Sequence, residues 1–263
     1  MIAPWALRRR MMATLGGVDV ANLLIQGSCT FTDYGVVTMG DGSDYRLLAI
    51  TQSGNLVLSD PVNIEVCVVG GGANGIQYGR HFGGAGGYLK NQIVEAFEGG
   101  EVVVGAAQGI SSINNVSVNS VSGQNGGTGG GGTEINSGGS GDGLSKYPFG
   151  DDSYELWSGK PHCAGGGGGG VSNDYGDFYG GYGGTNGGNG GSPGSGSDSG
   201  GIGGTYGGGA GGRGFPGGTG SNASYYGSGG GGGGEYGSIQ LAAGAGYQGI
   251  VYIRIPLEQE KAA

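Results

Sequence analysis

Proline is scarce, with 7 in a chain of 263 residues. Set against 74 glycines, that scarcity excludes collagen, which needs a strict Gly-X-Y repeat and abundant proline. Cysteine is scarcer still. Cys29, Cys67 and Cys163 are widely spaced and form no CxxC pair, so a zinc ribbon or a thioredoxin-like motif is excluded. The expectation is buried free thiols in a chain assembled in a reducing compartment. Basic charge is also short, 11 Lys and Arg against 20 Asp and Glu, giving a net charge of −9. A general nucleic-acid binder needs a basic footprint, so no nucleic-acid partner is expected. No run reaches the ~18 apolar residues of a membrane span, and no membrane insertion is expected. Arg8, Arg9 and Arg10 follow an apolar stretch, whereas a secretory signal carries its charges first. The expectation is a chain without a signal peptide that, if it acts outside a cell, leaves by lysis or as part of a particle.

Apolar residues make up 35 % of the chain and charged residues 12 %. That is too little for an ordinary large hydrophobic core. Something besides Leu, Ile and Val packing must order much of this sequence.

Along the chain, residues 1–17 are short, apolar and basic, and stop at Gly16 and Gly17. Trp5, Leu7, Arg8, Arg9, Arg10, Met11 and Met12 read as an attachment arm that docks on a partner. Residues 18–122 read as β-rich. Runs 45–50 and 55–58 are strand-like, and 52–54 between them reads as a hairpin turn. Run 62–69 begins in alternation and becomes fully apolar, a strand entering a core. Residues 87–94 and 101–104 read as another pair, with 98–100 as the turn.

Glycine density rises over 123–235, and the β-pattern returns in 236–263, where 249–255 is a strand ended by Pro256. A structureless insert of that length between strands of one fold is unexpected. The glycines also recur at intervals of three, as at Gly181, Gly184, Gly187 and Gly190. Polyproline-II helix has three residues per turn. Glycine at every third position leaves a bare face on which neighbouring helices can pack backbone to backbone, helped by repeated Cα–H···O contacts. The expected fold is therefore mainly β with a glycine-rich polyproline-II bundle, strands flanking the glycine block and almost no α-helix. Residues 18–256 are expected to form one folding unit.

Motifs for chemistry are weak. Residues 70–75 match G-x-G-x-x-G after a strand, but the following residues cannot carry the helix a dinucleotide site requires. His81 and His162 lack metal-ligand spacing, and nothing orients His162 and Cys163 as a nucleophile pair. Asp151 and Asp152, with Asp174 and Asp177, read as solvated loop carboxylates, since no calcium-loop pattern is present. No catalytic residue, cofactor or metal is expected, and the chain reads as non-enzymatic.

Aromatic residues gather at breaks in the glycine tract: Tyr147, Phe149, Tyr154 and Trp157; then Tyr175, Phe178 and Tyr179; then Tyr225 and Tyr226. Rigid amphipathic rings mixed with Asp, Asn, Ser and Gly resemble the composition of a binding surface. They are candidate receptor contacts. The alternative is that the rings cap the glycine slab and stabilise it.

Three segments carry a family resemblance: Val66-Cys67-Val68-Val69-Gly70-Gly71-Gly72; Gly83-Gly84-Ala85-Gly86-Gly87-Tyr88-Leu89 leading to Val102-Val103-Val104-Gly105; and Gly246-Tyr247-Gln248-Gly249-Ile250-Val251-Tyr252-Ile253-Arg254-Ile255-Pro256. In this order, over roughly residues 60–256, they resemble the glycine-rich domain of tailed-bacteriophage tail and virion proteins. The middle is similar to the polyproline-II sandwich of T-even-like long-tail-fibre adhesins, from which the chain departs by having strands on both sides of the glycine block. The start, with Leu7-Arg8-Arg9-Arg10-Met11-Met12, resembles that of many short phage virion proteins. The resemblance implies a virion protein of the tail fibre, tail tip or particle surface. Its partners would be other virion proteins, through the arm, and a host cell-surface protein or glycan, through the aromatic loops. Homo-oligomerisation stays open. An architectural decoration protein is the alternative. A glycan-degrading enzyme, which needs paired carboxylates and for which Asp151, Asp152 and Glu155 form the only dense acidic cluster in the loops, stands third.

Overall fold

The computed structural model describes residues 18–76, 83–84, 86–118, 147–157, 162–164, 166, 171–173, 176–178, 208–212, 218–236 and 238–257. Among these residues there is no α-helix, and helical geometry is confined to the 3-10 turns Val20–Asn22 and Pro148–Gly150. The strands are β1 (Ile25–Gly27), β2 (Thr30–Thr38), β3 (Asp44–Gln52), β4 (Gly54–Val69), β5 (Leu89–Val103), β6 (Ser111–Ile113), β7 (Val116–Val118), β8 (Val171–Asn173), β9 (Gly176–Phe178), β10 (Glu235–Tyr236), β11 (Ile239–Gln240) and β12 (Ile250–Pro256).

An antiparallel sheet runs β2-β3-β12-β4-β5-β6-β7, with β1 added on β4. Strands β4 and β5 are long and bent. Residues 54–57 of β4 pair with 99–102 of β5, and 62–69 pair with 89–97, with register shifts between. At the bend Ala96 is left-handed (φ 46°), and the Asn63 carboxamide accepts its N–H at 3.0 Å. The bend lets two halves of the sheet share one core. Leu48, Ile50, Ile64, Val66, Val251 and Ile253 from one half meet Leu56, Leu58, Val102, Ile113 and Val116 from the other.

The opposite face of the first half is also covered. Leu47, Ala49, Cys67, Val69, Ile250 and Tyr252 pack against Met39, Trp157 and Cys163. Strands β3, β12 and the end of β4 are thus buried on both faces. A strand buried on both faces has no solvent side to keep polar, which is why 66–69 and 250–253 read as continuous apolar runs. The three cysteines are free and buried.

Two sequence expectations are corrected. Residues 52–54 are not a hairpin turn: β12 lies between β3 and β4 in the first half, so 52–54 carries the chain from one half of the sheet to the other. Residues 98–100 are not a turn either, because β5 continues through them against β4. The hairpin of β6 and β7, closed at Asn114 (φ 48°), was not anticipated.

Beyond the sheet, glycine-rich segments without strand assignment bond side by side. Segment 227–234 is buried along its whole length, and its hydrogen bonds recur at three-residue spacing. Gly230 and Gly233 donate to the carbonyls of Ala73 and Ile76, and Gly231 and Gly234 to those of Ser221 and Gly218. Gly209 and Gly212 donate into Gly229 and Gly232, Gly84 and Gly87 into Gly230 and Gly227, and Gly244 and Tyr247 into Gly231 and Ser228. Gly229 also donates to Ala164. Rising register makes 73–76 and 209–212 run the same way as this segment; falling register makes 84–87, 218–221 and 244–247 run against it. A segment with neighbours on every side satisfies its buried backbone polar groups through them. At several of its glycines there is no room for a side chain: a Cβ on Gly230, Gly231 or Gly233 would overlap the carbonyl oxygen of Gly244, Ala210 or Leu241.

This packing draws on 70–76, 83–84, 86–88 and 241–249 as well as described residues within 123–235. One end meets the sheet, where Gly227 (φ 71°) abuts the Val69 side chain and the Cys163 sulfur. The other end carries a small sheet ordered β11-β10-β8-β9. Val18 and Leu257 both pack at the core between the two sheet halves, so the described chain enters and leaves at the sheet, away from that far end.

Candidate functional site: a tyrosine rim over a buried histidine

Residues 147–157 fold across the sheet face as an aromatic cover. Asp151 organises them. Its carboxylate accepts from the N–H groups of Gly40 (2.7 Å), Ser153 (3.0 Å) and Tyr154 (3.2 Å), and from the Ser153 hydroxyl (2.7 Å). Burial alone would raise its pKa, but these bonds together outweigh burial and lower it. Asp151 is thus occupied as the cap of a turn. Trp157 donates its indole N–H to the Asp151 carbonyl. Its ring lies 4.7 Å from Tyr154, 5.4 Å from Tyr252 and 6.1 Å from Phe149. Phe149 is left-handed (φ 58°), an unusual conformation for a bulky residue. It is held there by its N–H on the Asn91 carboxamide at 3.2 Å and its ring on Arg254. The Arg254 guanidinium lies 4.4 Å from the Tyr45 ring and 4.5 Å from the Phe149 ring, and bonds Glu65 at 2.7 Å.

Next to this cover, His162 is fully buried. Its Nε2 pairs with the Tyr252 hydroxyl at 3.1 Å, while Nδ1 has no partner among the described residues. Rings of Tyr225, Tyr252 and Tyr226 surround it at 5.0, 5.5 and 6.2 Å. Burial pushes its pKa down to about 3, so it is neutral near pH 7. Among the described residues no carboxylate bonds it, and its ring packs among the tyrosine rings. The neighbouring Cys163 backbone N–H bonds the Tyr226 carbonyl.

Around this histidine runs a rim of tyrosines. Tyr225 and Tyr226 are 5.5 Å apart, and Tyr226 and Tyr247 are 5.5 Å apart. Tyr34, on β2, is 42 % exposed. Burial is the main cause that raises the pKa values of Tyr154, Tyr225 and Tyr226, and neighbouring acidic groups add to it; Tyr225 reaches about 12. All three hydroxyls are therefore protonated, and each can donate and accept.

Of the residues anticipated as receptor contacts, Tyr147, Phe149, Tyr154, Trp157 and Tyr226 fall in this one layer, and Tyr225 adjoins it. Trp157 has no exposed surface, which places it with the capping alternative and removes it from any direct contact in this conformation. Tyr175 and Tyr179 lie outside the described residues. Phe178 ends β9, and its side chain lies outside them. Trp5, Leu7, Arg8, Arg9, Arg10, Met11 and Met12 also lie outside them. Sequence reasoning missed Tyr34, Tyr247 and the buried role of His162. All three owe their position to long-range pairing, and no local pattern marks them.

Among the described residues, no group of three or more His, Cys, Asp or Glu is placed to hold a metal ion, and no helix is long and apolar enough to cross a membrane. Comparison with protein-family models, with curated proteins and with solved structures finds no match.

Proposed function

We propose that this chain is a structural protein of a tailed-bacteriophage particle, in the tail fibre, the tail tip or the particle surface, and that it binds the host surface. Its glycine-rich segments are read as polyproline-II helices, because their hydrogen bonds recur every third residue and that helix repeats every three residues. The observation that carries the functional reading is the polarity of the molecule. The described chain enters and leaves at the sheet, while the backbone-packed glycine segments project to a far end. The arm preceding Val18 then attaches to other virion proteins on the sheet side, and recognition falls to side chains displayed by a stiff body. Preorganised display limits the entropy lost on association.

A second reading, an architectural component without receptor binding, is favoured by one observation: several of the named aromatics, Trp157 above all, serve the core. Gold-labelled antibody against the chain, applied to intact particles, separates the readings when combined with competition. The attachment reading expects surface label, and free chain that blocks particle adsorption to host cells. Label without competition supports the architectural reading. A chain absent from purified particles overturns both.

A further inference from the structure

We infer that the outer sheet face at Leu24 and Val57 seats residues 1–17 of a second copy of this chain. The inference rests on the attachment reading for the role of those residues as an arm, and it names their partner.

The first observation is an apolar row on an uncovered face. Side chains along a strand alternate between its two faces. In β4, Leu56 and Leu58 point into the core between the sheet halves, so Val57 points outward. Gln26 of β1 lies opposite Val57 on one side and Gly99 of β5 on the other. Leu24, two residues before Gln26, is tied to Ser59. Its N–H donates to the Ser59 hydroxyl at 3.2 Å, and its carbonyl accepts the Ser59 N–H at 3.0 Å. Leu24 is therefore the diagonal neighbour of Val57 on one face, a spacing that one ligand can bridge. The two residues are 57 % and 53 % exposed. The outer face of the other sheet half, by contrast, is closed by the aromatic cover.

The second observation is charge. Glu101 lies opposite Asn55, which shares the face of Val57. At the other end of the row, Asp60 follows Ser59 and accepts its hydroxyl at 2.9 Å. Both carboxylates are exposed, and neither is ion-paired among the described residues. Arg46 and Arg254 are committed elsewhere, to Asp33 and Glu65. The apolar row is thus bracketed by carboxylates that lack a cation.

The third is the segment that fits. Residues 1–17 combine Trp5, Leu7, Met11 and Met12 with Arg8, Arg9 and Arg10. Apolar side chains match the row, and guanidinium forks match the carboxylates. Fully extended, 17 residues reach about 55 Å, enough to span to a neighbouring molecule. The arm of the same copy starts on the opposite side. Val18 packs at the core between the halves, and Arg46 holds the Val20 and Leu23 carbonyls. A neighbour's arm meets no such constraint. Each copy then gives an arm to one neighbour and receives one from another. Such head-to-tail contacts close into a ring or extend into a filament.

The test measures the mass of the full chain by light scattering and native mass spectrometry over a dilution series. A concentration-dependent multimer is expected. Val57→Asp, at an exposed position, should keep the melting temperature and weaken association by about tenfold or more. Asp60→Arg combined with Glu101→Arg should weaken it as well. Adding Arg8→Glu, Arg9→Glu and Arg10→Glu to that variant should restore association, a rescue that unfolding cannot produce. A monomer at every concentration overturns the inference, including the case of an arm lying on its own copy. An unaffected Val57→Asp or a failed rescue also overturns it. A monomer that is present in purified particles, and lost from them with Arg8→Glu, Arg9→Glu and Arg10→Glu, fails the inference and keeps the attachment reading. A multimer absent from purified particles supports docking between copies while the attachment reading fails.

Discussion

Trp157 meets Tyr252 edge-on, with ring centroids 5.4 Å apart, and so ties the aromatic cover to the central strand β12. Both residues are buried, and edge-to-face geometry favours the pair beyond the area it hides. The Trp157→Ala variant is expected to lose about 3–5 kcal/mol of stability through the cavity left behind. Chemical denaturation should show this as a lower midpoint. An unchanged midpoint would mean that the cover does not hold the sheet face.

The glycine segments allow a sharper substitution. A Cβ at Gly231 would overlap the Ala210 carbonyl, and one at Gly230 the Gly244 carbonyl. Backbone cannot move aside as a flexible side chain can. Gly231→Ala and Gly230→Ala should each destabilise by roughly 1–3 kcal/mol or more, although alanine is ordinarily the less costly residue to order. Thermal melting of the two variants decides this, and a neutral or stabilising effect would contradict the packing.

Acid should weaken the fold through His162. Its pKa is about 3 when folded, against 6.5 ordinarily. Between those values the unfolded chain takes up the proton first, so stability is complete above about pH 6.5 and falls as pH drops toward 3. The shift corresponds to on the order of 5 kcal/mol. Asp33 and Asp151, whose pKa values are lowered on folding, lose their contributions in the same direction below the ordinary carboxylate range. Replacing His162 with Phe should flatten the stability profile between pH 6.5 and 4.5, where those carboxylates remain ionised. A profile as steep as that of the parent chain would reject the assignment.

Asp151 offers a local check. With Asp151→Ala, the N–H groups of Gly40, Ser153 and Tyr154 lose their acceptor. A loss of about 1–2 kcal/mol is expected, in the range of a lost helix or turn cap. Amide exchange at Gly40 should accelerate more than at Gly209, which lies in the glycine packing. Equal acceleration at both would mean that Asp151 acts globally.

Parts of this were legible in the sequence. The apolar runs 66–69 and 250–253 announce strands because burial on both faces removes any need for polar alternation. Buried free thiols at Cys29, Cys67 and Cys163 follow from their odd count and wide spacing, which offer no motif or pairing. Gly181, Gly184, Gly187 and Gly190, on which the three-residue glycine interval was read, lie outside the described residues. What stayed hidden depends on partners far along the chain. Nothing near Gln52 says that β12 will insert between β3 and β4, so a crossover reads as a hairpin. Nothing near Gly99 says that β5 runs on, because its continuation is set by pairing with β4 some forty residues earlier. The aromatic set at Tyr154, Trp157, Tyr225 and Tyr226 is visible as composition, yet whether a ring covers the core depends on its packing against Tyr252 and His162, far along the chain.

Hydrogen–deuterium exchange of the intact protein, resolved across segment 227–234, tests the glycine packing most directly. Slow exchange is expected at Gly230, Gly231, Gly233 and Gly234, whose N–H groups bond neighbouring backbone, with protection comparable to that of Val251 and Ile253 in the sheet. Exchange at the rate of an unstructured chain throughout that segment, while the sheet remains protected, would show that glycine there forms no stiff body.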